Sequence, residues 1–454
     1  MMSIFKACDI RAPYPDELKD EHAILLGKAI ASLLGTCDVL VGGDGRLSTP
    51  RLKQLLIGSL LTSGCRVIDL GMLPTPAFYF ARHALGVKAG VMVTASHNPP
   101  QYNGFKLAFA DLPITEAEIS NLQELMLHSN LAAQNRNRRQ VESIDILPAY
   151  IEFVKEQMES LAGLRVVVDY GNGMGALIGP ELWKHSQAET TPLFDKVDGR
   201  FPNRSPNPAN PRNLTALQQA VKDNHADLGI AYDGDADRVA FVDEHGKIAN
   251  MDKVIALFAQ DRLSTGPAAV VHDQKCSRLV PQIIRAAGGD PIMEKSGHTF
   301  IKTTFLQKKA VYAGELSGHH FFSSLPQGDD GVMASLYFAG ILKKSGRTLS
   351  ALLQTLPDYP ITPDIRIAMT ADKADEVLSK LRRGLADKAN LIFLDGVRAE
   401  FSDGWGLARK SVTEPLLTLR FEGEDNHALR RIIQSFIKAA PELVGLLSKV
   451  EIQE

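Results

Sequence analysis

The stretch Ile230-Ala231-Tyr232-Asp233-Gly234-Asp235-Ala236-Asp237-Arg238 sets three carboxylates at alternate positions directly after an apolar run. It reads as a strand that opens into a metal-binding loop. In an extended or turning backbone, residues i, i+2 and i+4 point to one side, whereas on a helix the middle one would face away. Three anions that close repel, and one takes up a proton unless a cation lies between them. Every donor on offer is an oxygen, so the expected cation is hard, magnesium or calcium. Two other readings compete. A solvated acidic turn has the same composition. An EF-hand would use Asp233, Asp235, Asp237 and Glu244, but its sixth position requires glycine and finds Arg238. The flanks Leu228-Gly229-Ile230-Ala231 and Val239-Ala240-Phe241-Val242 also have the pattern of strands, not helices.

Outward from this loop, an α/β order of elements occurs three times. In the first, Val39 to Asp44 is a buried strand, Pro50 to Thr62 a helix, Arg66 to Gly71 a strand, Pro76 to Leu85 a helix and Gly90 to Thr94 a strand. In the second, strands at Arg165 to Asp169 and Thr190 to Phe194 and helices at Ala176 to Lys184 and Leu214 to Asn224 lead to the strand before Asp233. In the third, Ala268 to Asp273, a helix from Arg278 to Ala287, Pro291 to Glu294 and a helix from Thr299 to Leu306 lead to Val311 to Glu315. In each unit the last strand runs into a polar loop, and open parallel sheets bind ligands outside the carboxyl ends of their strands. The pattern then breaks. Ile365 to Met369, a helix around Ala374 to Ala386, strands near Leu391 to Leu394 and Leu416 to Phe421, and a helix from Asn426 to Ala439 suggest a smaller α+β domain. The expected architecture is three similar mixed α/β domains with mostly parallel sheets, at 1–145, 146–250 and 251–359, plus a smaller C-terminal α+β domain at 360–454, around a central cleft.

Bulk properties narrow the function classes. The length of 454 residues suggests about three or four domains. A formal net charge of -3 gives no electrostatic footprint for nucleic acid. The basic run Arg136-Asn137-Arg138-Arg139 reads as a solvated linker. Cys8, Cys37, Cys65 and Cys276 show no metal-ligand spacing and read as reduced thiols. No stretch is apolar for long enough to cross a bilayer, and the start lacks the apolar core of a signal peptide. A cytoplasmic protein, monomeric or weakly dimeric, is expected.

Ser96 lies in a turn that ends a strand, followed by His97, Asn98 and Pro99, and Pro99 cannot continue the ladder. Alone, it reads as an ordinary turn serine. An esterase elbow needs glycines on both sides, and the neighbours are Ala95 and His97. Together the loops are more specific. Thr94-Ala95-Ser96-His97-Asn98-Pro99, with Asn103-Gly104-Phe105-Lys106 behind it, resembles the phosphoserine loop of the α-D-phosphohexomutase superfamily, which includes phosphomannomutases and phosphoglucomutases. The Asp233 to Arg238 loop is similar to that family's magnesium loop, and Gly314-Glu315-Leu316-Ser317-Gly318-His319 to its sugar-recognition loop. Arg409-Lys410-Ser411-Val412-Thr413-Glu414-Pro415, with Arg420, resembles its phosphate-binding loop. The likeness runs in order from Phe5 to beyond Arg420.

The resemblance implies a catalytic cycle. Ser96 would carry a phosphoryl group, and Asp233, Asp235 and Asp237 with an oxygen on Ser96 would hold Mg2+. A hexose phosphate would receive the group, pass through a hexose 1,6-bisphosphate, which also serves as activator, and return its other phosphate to Ser96. Glu315 and Ser317 match the hydroxyl-reading pair, and Glu315 can accept two hydrogen bonds from neighbouring hydroxyls. His319 and Lys106 are the candidates for proton transfer and charge neutralisation, with His97 and Arg11 also at the catalytic centre. Arg238, Lys275 and His298 match positions near the phosphates, and Arg409, Ser411, Thr413 and Arg420 would grip the phosphate that is not reacting. The chain departs from the family's pattern at Cys8, where tyrosine is common, at Ala12, where glycine is, and at Val412, where a small or amide residue is usual. Mannose and glucose phosphates are the expected substrates, with phosphoglucosamine mutase the nearest enzymatic alternative. A sugar-phosphate binding or sensing protein on the same scaffold is the alternative of another class.

Overall fold

Leu228–Tyr232, the strand that feeds the acidic loop, is buried at every position, as expected of a strand covered on both faces. The computed structural model describes residues 4–35, 37–127, 141–325, 328–410 and 416–447. The basic run at 136–139 and residues 411–415, which include Ser411, Val412 and Thr413, lie outside the described residues.

Three sheets repeat one arrangement. In the first, Asp38–Gly43 lies between Arg66–Met72 and Ala89–Val93, parallel to both, and Tyr102–Ala108 returns antiparallel beside Ala89–Val93. In the second, Arg165–Asp169 lies between Glu189–Leu193 and Leu228–Tyr232, and Val239–Asp243 returns antiparallel. In the third, Ala269–Asp273 lies between Asp290–Glu294 and Tyr312–Gly314, and His320–Phe322 returns antiparallel. Each chemistry-bearing loop therefore joins a parallel strand to an antiparallel one. Both ends of such a loop are fixed by a ladder, which holds its side chains more firmly than a free crossover would.

Helices cover both faces of these sheets, and the packing separates the units unequally. One continuous core takes Leu40, Phe78 and Met92 from the first sheet and its helices, Val166, Ile230 and Phe241 from the second, and Val270, Tyr312 and Phe322 from the third. The opposite faces close on separate cores, containing Val41 and Val91, Val167 and Ala231, and Val271 and Ala313 respectively. Successive strand residues alternate between the two. The helix Gly331–Ser345 crosses this shared core. It is capped at its start by the Asp330 carboxylate, which accepts from the Met333 N–H at 2.9 Å, and ends at Gly346 in the left-handed region, with φ of 61°.

The C-terminal unit has an antiparallel sheet, in the order Ile365–Ala368, Leu416–Gly423, Gly404–Lys410, Val397–Phe401 and Asn390–Ile392. Its core, with Val397, Ala408, Leu419 and Phe436, is its own. Against the third unit it makes polar contacts instead. Arg420 donates to the Lys275 carbonyl at 2.8 Å, Arg398 to the Gln274 carbonyl, and Glu422 accepts from the Arg278 N–H at 3.0 Å. A polar seam of this kind allows domain motion more readily than a shared apolar core.

The sequence reading passed over the helices Asp20–Leu34, Leu147–Glu156, Met251–Leu263 and Gly331–Ser345. The last two are buried on most sides, so they lack the one-sided periodicity that marks a surface helix. The single helix expected over Ala176 to Lys184 is two pieces, a 3-10 turn at Met174–Leu177 and an α-helix at Gly179–His185. Pro180 at the start of the second piece suits a helix beginning and not a helix interior.

Candidate active site

Ser96 and the acidic loop are 137 residues apart in sequence and in contact in space. The Ser96 hydroxyl donates to Asp233 Oδ2 at 2.8 Å. Two backbone features permit this approach. Ser96 itself adopts a positive φ of 48°, a sharp turn at the strand end that aims its hydroxyl at the acidic loop. Gly234 faces the Ser96 carbonyl so closely that a Cβ would fall 2.4 Å from that oxygen. The acidic loop is fastened by all three α/β units: Thr75 N–H donates to the Asp235 carbonyl at 3.0 Å, Met174 N–H to the Gly234 carbonyl at 2.9 Å, and Gly331 N–H to the Ala236 carbonyl at 3.1 Å.

The electrostatics match the reading from sequence. Asp233, Asp235 and Asp237 are buried, and one donor atom from each lies within 4.8 Å of the others. Burial, with Asp237 and Asp235 alongside, pushes Asp233 well above the usual carboxylate range. Burial acts on Asp235 and Asp237 in the same direction, but Lys106, joined by Thr75 at Asp235 and by His319 and Arg238 at Asp237, holds both below their ordinary values. Lys106 Nζ lies 2.8 Å from Asp235 Oδ2 and also pairs with Asp237. Burial opposes charge on Lys106, and these carboxylates more than offset it. Asp235 Oδ1 and Asp237 Oδ1 have no hydrogen-bond partner among the described residues. Buried carboxylate oxygens left this way are costly, and an oxygen-coordinated divalent cation fits them. The acidic cluster can bind a metal.

The remaining candidates fall into two groups. Arg11, on Ile10–Pro13, pairs across the sheet with Gly104 and donates to Asn98 Oδ1 at 2.8 Å and Asp9 Oδ2 at 2.5 Å. His97 Nδ1 lies 3.3 Å from the Ser96 hydroxyl, and burial with Arg238 and Arg11 nearby pushes the ring well below its ordinary pKa. Arg238 Nε donates to His319 Nε2 at 2.8 Å, and the backbones of the two residues form a bridge that joins the second and third loops. His298 stacks on His319 with ring centroids 5.3 Å apart, and burial pushes it down to about 3. The Glu315 carboxyl is buried and raised by that burial. Its Oε2 and the Ser317 hydroxyl have no hydrogen-bond partner among the described residues. Gly318, at φ 95°, passes so near the Val239 carbonyl that a Cβ would sit 2.5 Å from it.

Lys275, Arg409 and Arg420 form the second group. Lys275 Nζ pairs with Asp364 at 3.0 Å, and Arg409 Nε with Asp395 at 2.6 Å. Arg409 and Arg420 share the sheet face opposite the C-terminal core, where Arg420 bonds the Lys275 carbonyl. None of the three makes a hydrogen bond or ion pair with Ser96 or the acidic loop among the described residues.

Sequence reasoning missed the supports beneath Ser96. Arg46 is 1% exposed. Its guanidinium donates to the carbonyls of Ser96, Asn98, Pro99 and Tyr102 at 2.8, 2.7, 2.7 and 3.1 Å, and Nε to Asp44 Oδ2 at 3.0 Å. The same Asp44 oxygen accepts from Thr94 at 2.8 Å. Arg204 does similar work in the second unit, joining Asp169 Oδ2 at 2.7 Å to the Tyr232 carbonyl at 2.7 Å. The signal available was Gly43-Asp44-Gly45-Arg46, a charged pair at a strand end equivalent to the other loops. Asp329, which lies against His319 Nδ1, was also missed.

Comparison with known proteins agrees with this arrangement. The four models of the phosphoglucomutase/phosphomannomutase family match in order: α/β/α domain I at residues 2–132, domain II at 148–246, domain III at 250–359 and the C-terminal domain at 365–439. A phosphomannomutase/phosphoglucomutase of Pseudomonas aeruginosa is 41% identical over 95% of this chain and 94% of its own. A phosphoglucomutase of Neisseria gonorrhoeae is 38% identical over 97% and 98%. The crystal structure of a phosphoglucomutase/phosphomannomutase family protein from Burkholderia thailandensis superposes with a TM-score of 0.90 at 35% identity, covering 100% of this chain and 99% of the other. Ser96, an acidic trio and the loop of buried Glu315, gathered from three repeated units, with four family domains matched in sequence, make this chain a member of the phosphoglucomutase/phosphomannomutase family of mutase enzymes.

Proposed function

We propose that this enzyme interconverts the 6-phosphate and 1-phosphate of mannose, and of glucose as well, through a phosphoserine at Ser96 and a hexose 1,6-bisphosphate. The observation that carries the reading is the 2.8 Å contact between the hydroxyl of buried Ser96 and the carboxylate of buried Asp233. A phosphoryl group on this oxygen would lie beside Lys106 and the acidic loop, where phosphoryl transfer is governed by position and charge. Asp233, Asp235 and Asp237 with an oxygen on Ser96 would hold a divalent cation, for which we propose Mg2+, and it would supply charge withdrawal from the phosphoryl group.

The chain's own residues do the rest. Lys106 stays protonated between Asp235 and Asp237 and offers a fixed positive charge. Glu315 and Ser317 take the sugar hydroxyls, which complete hydrogen bonds that the protein leaves open. His319 moves the proton of the reacting hydroxyl. Arg11, His97, Arg238, Lys275 and His298 frame the phosphates. Arg409, Ser411, Thr413 and Arg420 grip the distal phosphate once the C-terminal unit closes, which requires Arg409 to exchange Asp395 for phosphate. Closure also excludes water, which would otherwise hydrolyse the phosphoserine. A hexose 1,6-bisphosphate is the activator, because it reloads Ser96 by the reverse of the same step. We place the enzyme in the cytoplasm, a reducing compartment that its four free thiols suit, as a monomer or weak dimer.

Mass spectrometry of the purified protein tests the central step. Phosphate is expected on Ser96 alone, either at rest or after incubation with hexose 1,6-bisphosphate. A Ser96→Ala variant should lose at least about 1,000-fold in mutase activity. A Ser96→Ala enzyme with full turnover would refute the assignment, and coupled assays with mannose, glucose and glucosamine phosphates decide the substrate order.

A further inference from the structure

The two carboxylate oxygens of Asp235 have opposite surroundings. Oδ2 accepts from the Thr75 hydroxyl at 2.7 Å and from Lys106 Nζ at 2.8 Å, with the Thr94 hydroxyl 3.4 Å away. Oδ1 is buried and has no hydrogen-bond partner among the described residues. Donors fill the lone pairs of the first oxygen and leave those of the second open. Thr75 stands 160 residues earlier in the chain, in the first unit, and is buried at 0% exposure. It is the first residue of the helix Thr75–Ala84, where backbone N–H groups have no partner within the helix. Its N–H goes to the Asp235 carbonyl at 3.0 Å. Both hydrogen-bond donors of one residue therefore end on one aspartate, at the positive end of a helix that favours a negative charge there. The branched Cβ of threonine restricts rotation of the hydroxyl and keeps it on that line. Thr94 cannot take over, because its single O–H is given to Asp44 Oδ2 at 2.8 Å.

We infer that Thr75 is a positioning residue for the divalent cation: its hydroxyl pins Asp235 Oδ2 and thereby turns Oδ1 toward the ion. The role rests on the proposed cation at the acidic loop. Thr75 touches neither substrate nor reacting atoms and acts only through Asp235. Without the hydroxyl, Oδ2 keeps Lys106 as its one close donor, and Lys106 also pairs with Asp237. An ammonium on a flexible stem does not fix the plane of a carboxylate, so Asp235 would be free to turn about its Cβ–Cγ bond. Partners of this kind, one bond behind the ligands, set ligand orientation and with it metal affinity. The arrangement also ties two units together. The first unit carries Ser96, and through Thr75 it sets a ligand in the loop of the second, so the affinity for the cation depends on how these two units are docked.

The test measures Mn2+ binding to the full-length enzyme by electron paramagnetic resonance, without sugar phosphate. Thr75→Val removes the hydroxyl and keeps both the branched Cβ and the backbone N–H. It should weaken Mn2+ binding by about 10- to 100-fold, and the Mg2+ concentration that half-activates the enzyme should rise by a similar factor. Thr75→Ser, which keeps the hydroxyl, should bind Mn2+ within about threefold of the unaltered enzyme. KM for hexose phosphate at saturating Mg2+ should stay within about threefold in both variants, since only the cation's ligand is disturbed. A role confined to helix packing would lower thermal stability and leave Mn2+ affinity in place. Thr75→Val binding Mn2+ as tightly as the unaltered enzyme, or Thr75→Ser binding as weakly as Thr75→Val, would overturn the inference. If Thr75→Val fails to fold, a crystal structure of the unaltered enzyme with Mn2+ decides: Asp235 Oδ1 on the ion is expected, and Oδ2 in its place refutes the role of Thr75. Mn2+ binding unaffected by Asp235→Asn would remove the proposed cation and this role together. Absence of phosphate on Ser96 would remove the mutase reading alone and leave the Mn2+ result standing.

Discussion

Replacing Arg46 with lysine should disable Ser96 from beneath without touching it. The guanidinium makes five hydrogen bonds, one to Asp44 and four to carbonyls between Ser96 and Tyr102. A lysine ammonium has three N–H groups, so at least two buried carbonyls lose their donor. Each such loss costs about 1–3 kcal/mol, or roughly 2–6 kcal/mol together. The positive charge survives, so Asp44 stays paired and the larger cost of about 3–5 kcal/mol for a stranded buried charge is avoided. The loss falls on the loop that carries Ser96. Displacing a reacting atom by about 1 Å can cost about 100-fold in rate. Single-turnover transfer from phosphorylated enzyme to hexose phosphate should therefore slow about 100-fold or more in Arg46→Lys. KM should change less than about threefold, because the bonds of Arg46 go to Asp44 and the Ser96 loop and none to the Glu315 loop. Rapid-quench measurement of phosphoserine decay reads this directly. A transfer rate within about twofold of the unaltered enzyme would show that the loop holds its shape without the guanidinium, and the argument from buried carbonyls would fail.

Other outcomes follow from the same geometry. Gly318→Ala should destabilise the fold by about 1–3 kcal/mol in denaturant titrations, because a side chain at φ 95° meets the Val239 carbonyl; an unchanged midpoint would refute it. Binding of Mg2+ should release protons, more of them as pH falls, since burial and its neighbours hold Asp233 above the usual carboxylate range until a cation arrives. Calorimetry in buffers of different ionisation enthalpy reads this, and heats independent of buffer would refute it. Lys302 is buried over the Tyr79 ring at 3.7 Å, and burial pushes it down to about 7. The unfolded chain then binds the extra proton between about pH 7 and the ordinary lysine pKa of about 10.4, so stability rises with pH in that window. Lys302→Met should therefore stabilise the protein most below pH 7, with the gain shrinking as pH rises toward 10; a gain independent of pH would contradict this. Arg409→Ala should cost at most about 1 kcal/mol in stability, as a partly exposed pair does, while raising KM for hexose phosphate; unaltered KM would remove Arg409 from the phosphate grip.

The sequence alone determined the repeat and its chemistry. Strands such as Val166 to Val168 or Ile230 to Tyr232 are apolar through and through, and loops such as Asp233-Gly234-Asp235-Ala236-Asp237 carry their ligands on one short segment. Local spacing suffices for both, because strand periodicity and a compact oxygen cluster are fixed by the backbone itself. Helices buried on every side, such as Gly331–Ser345, gave no periodic signal, and the polar seam beside the C-terminal unit had none to give. What only the tertiary structure decided was partnership across long separations. Arg46 reads as one more charged residue until its guanidinium is seen to hold four carbonyls some fifty residues on. Asp329 and His319, ten residues apart, become a pair only when the bridge between Phe321 and Asp329 returns the chain beside the strand His320–Phe322. A side chain's protonation and reach depend on what burial removes and which partner replaces water, and that partner is chosen by the packing of the sheets.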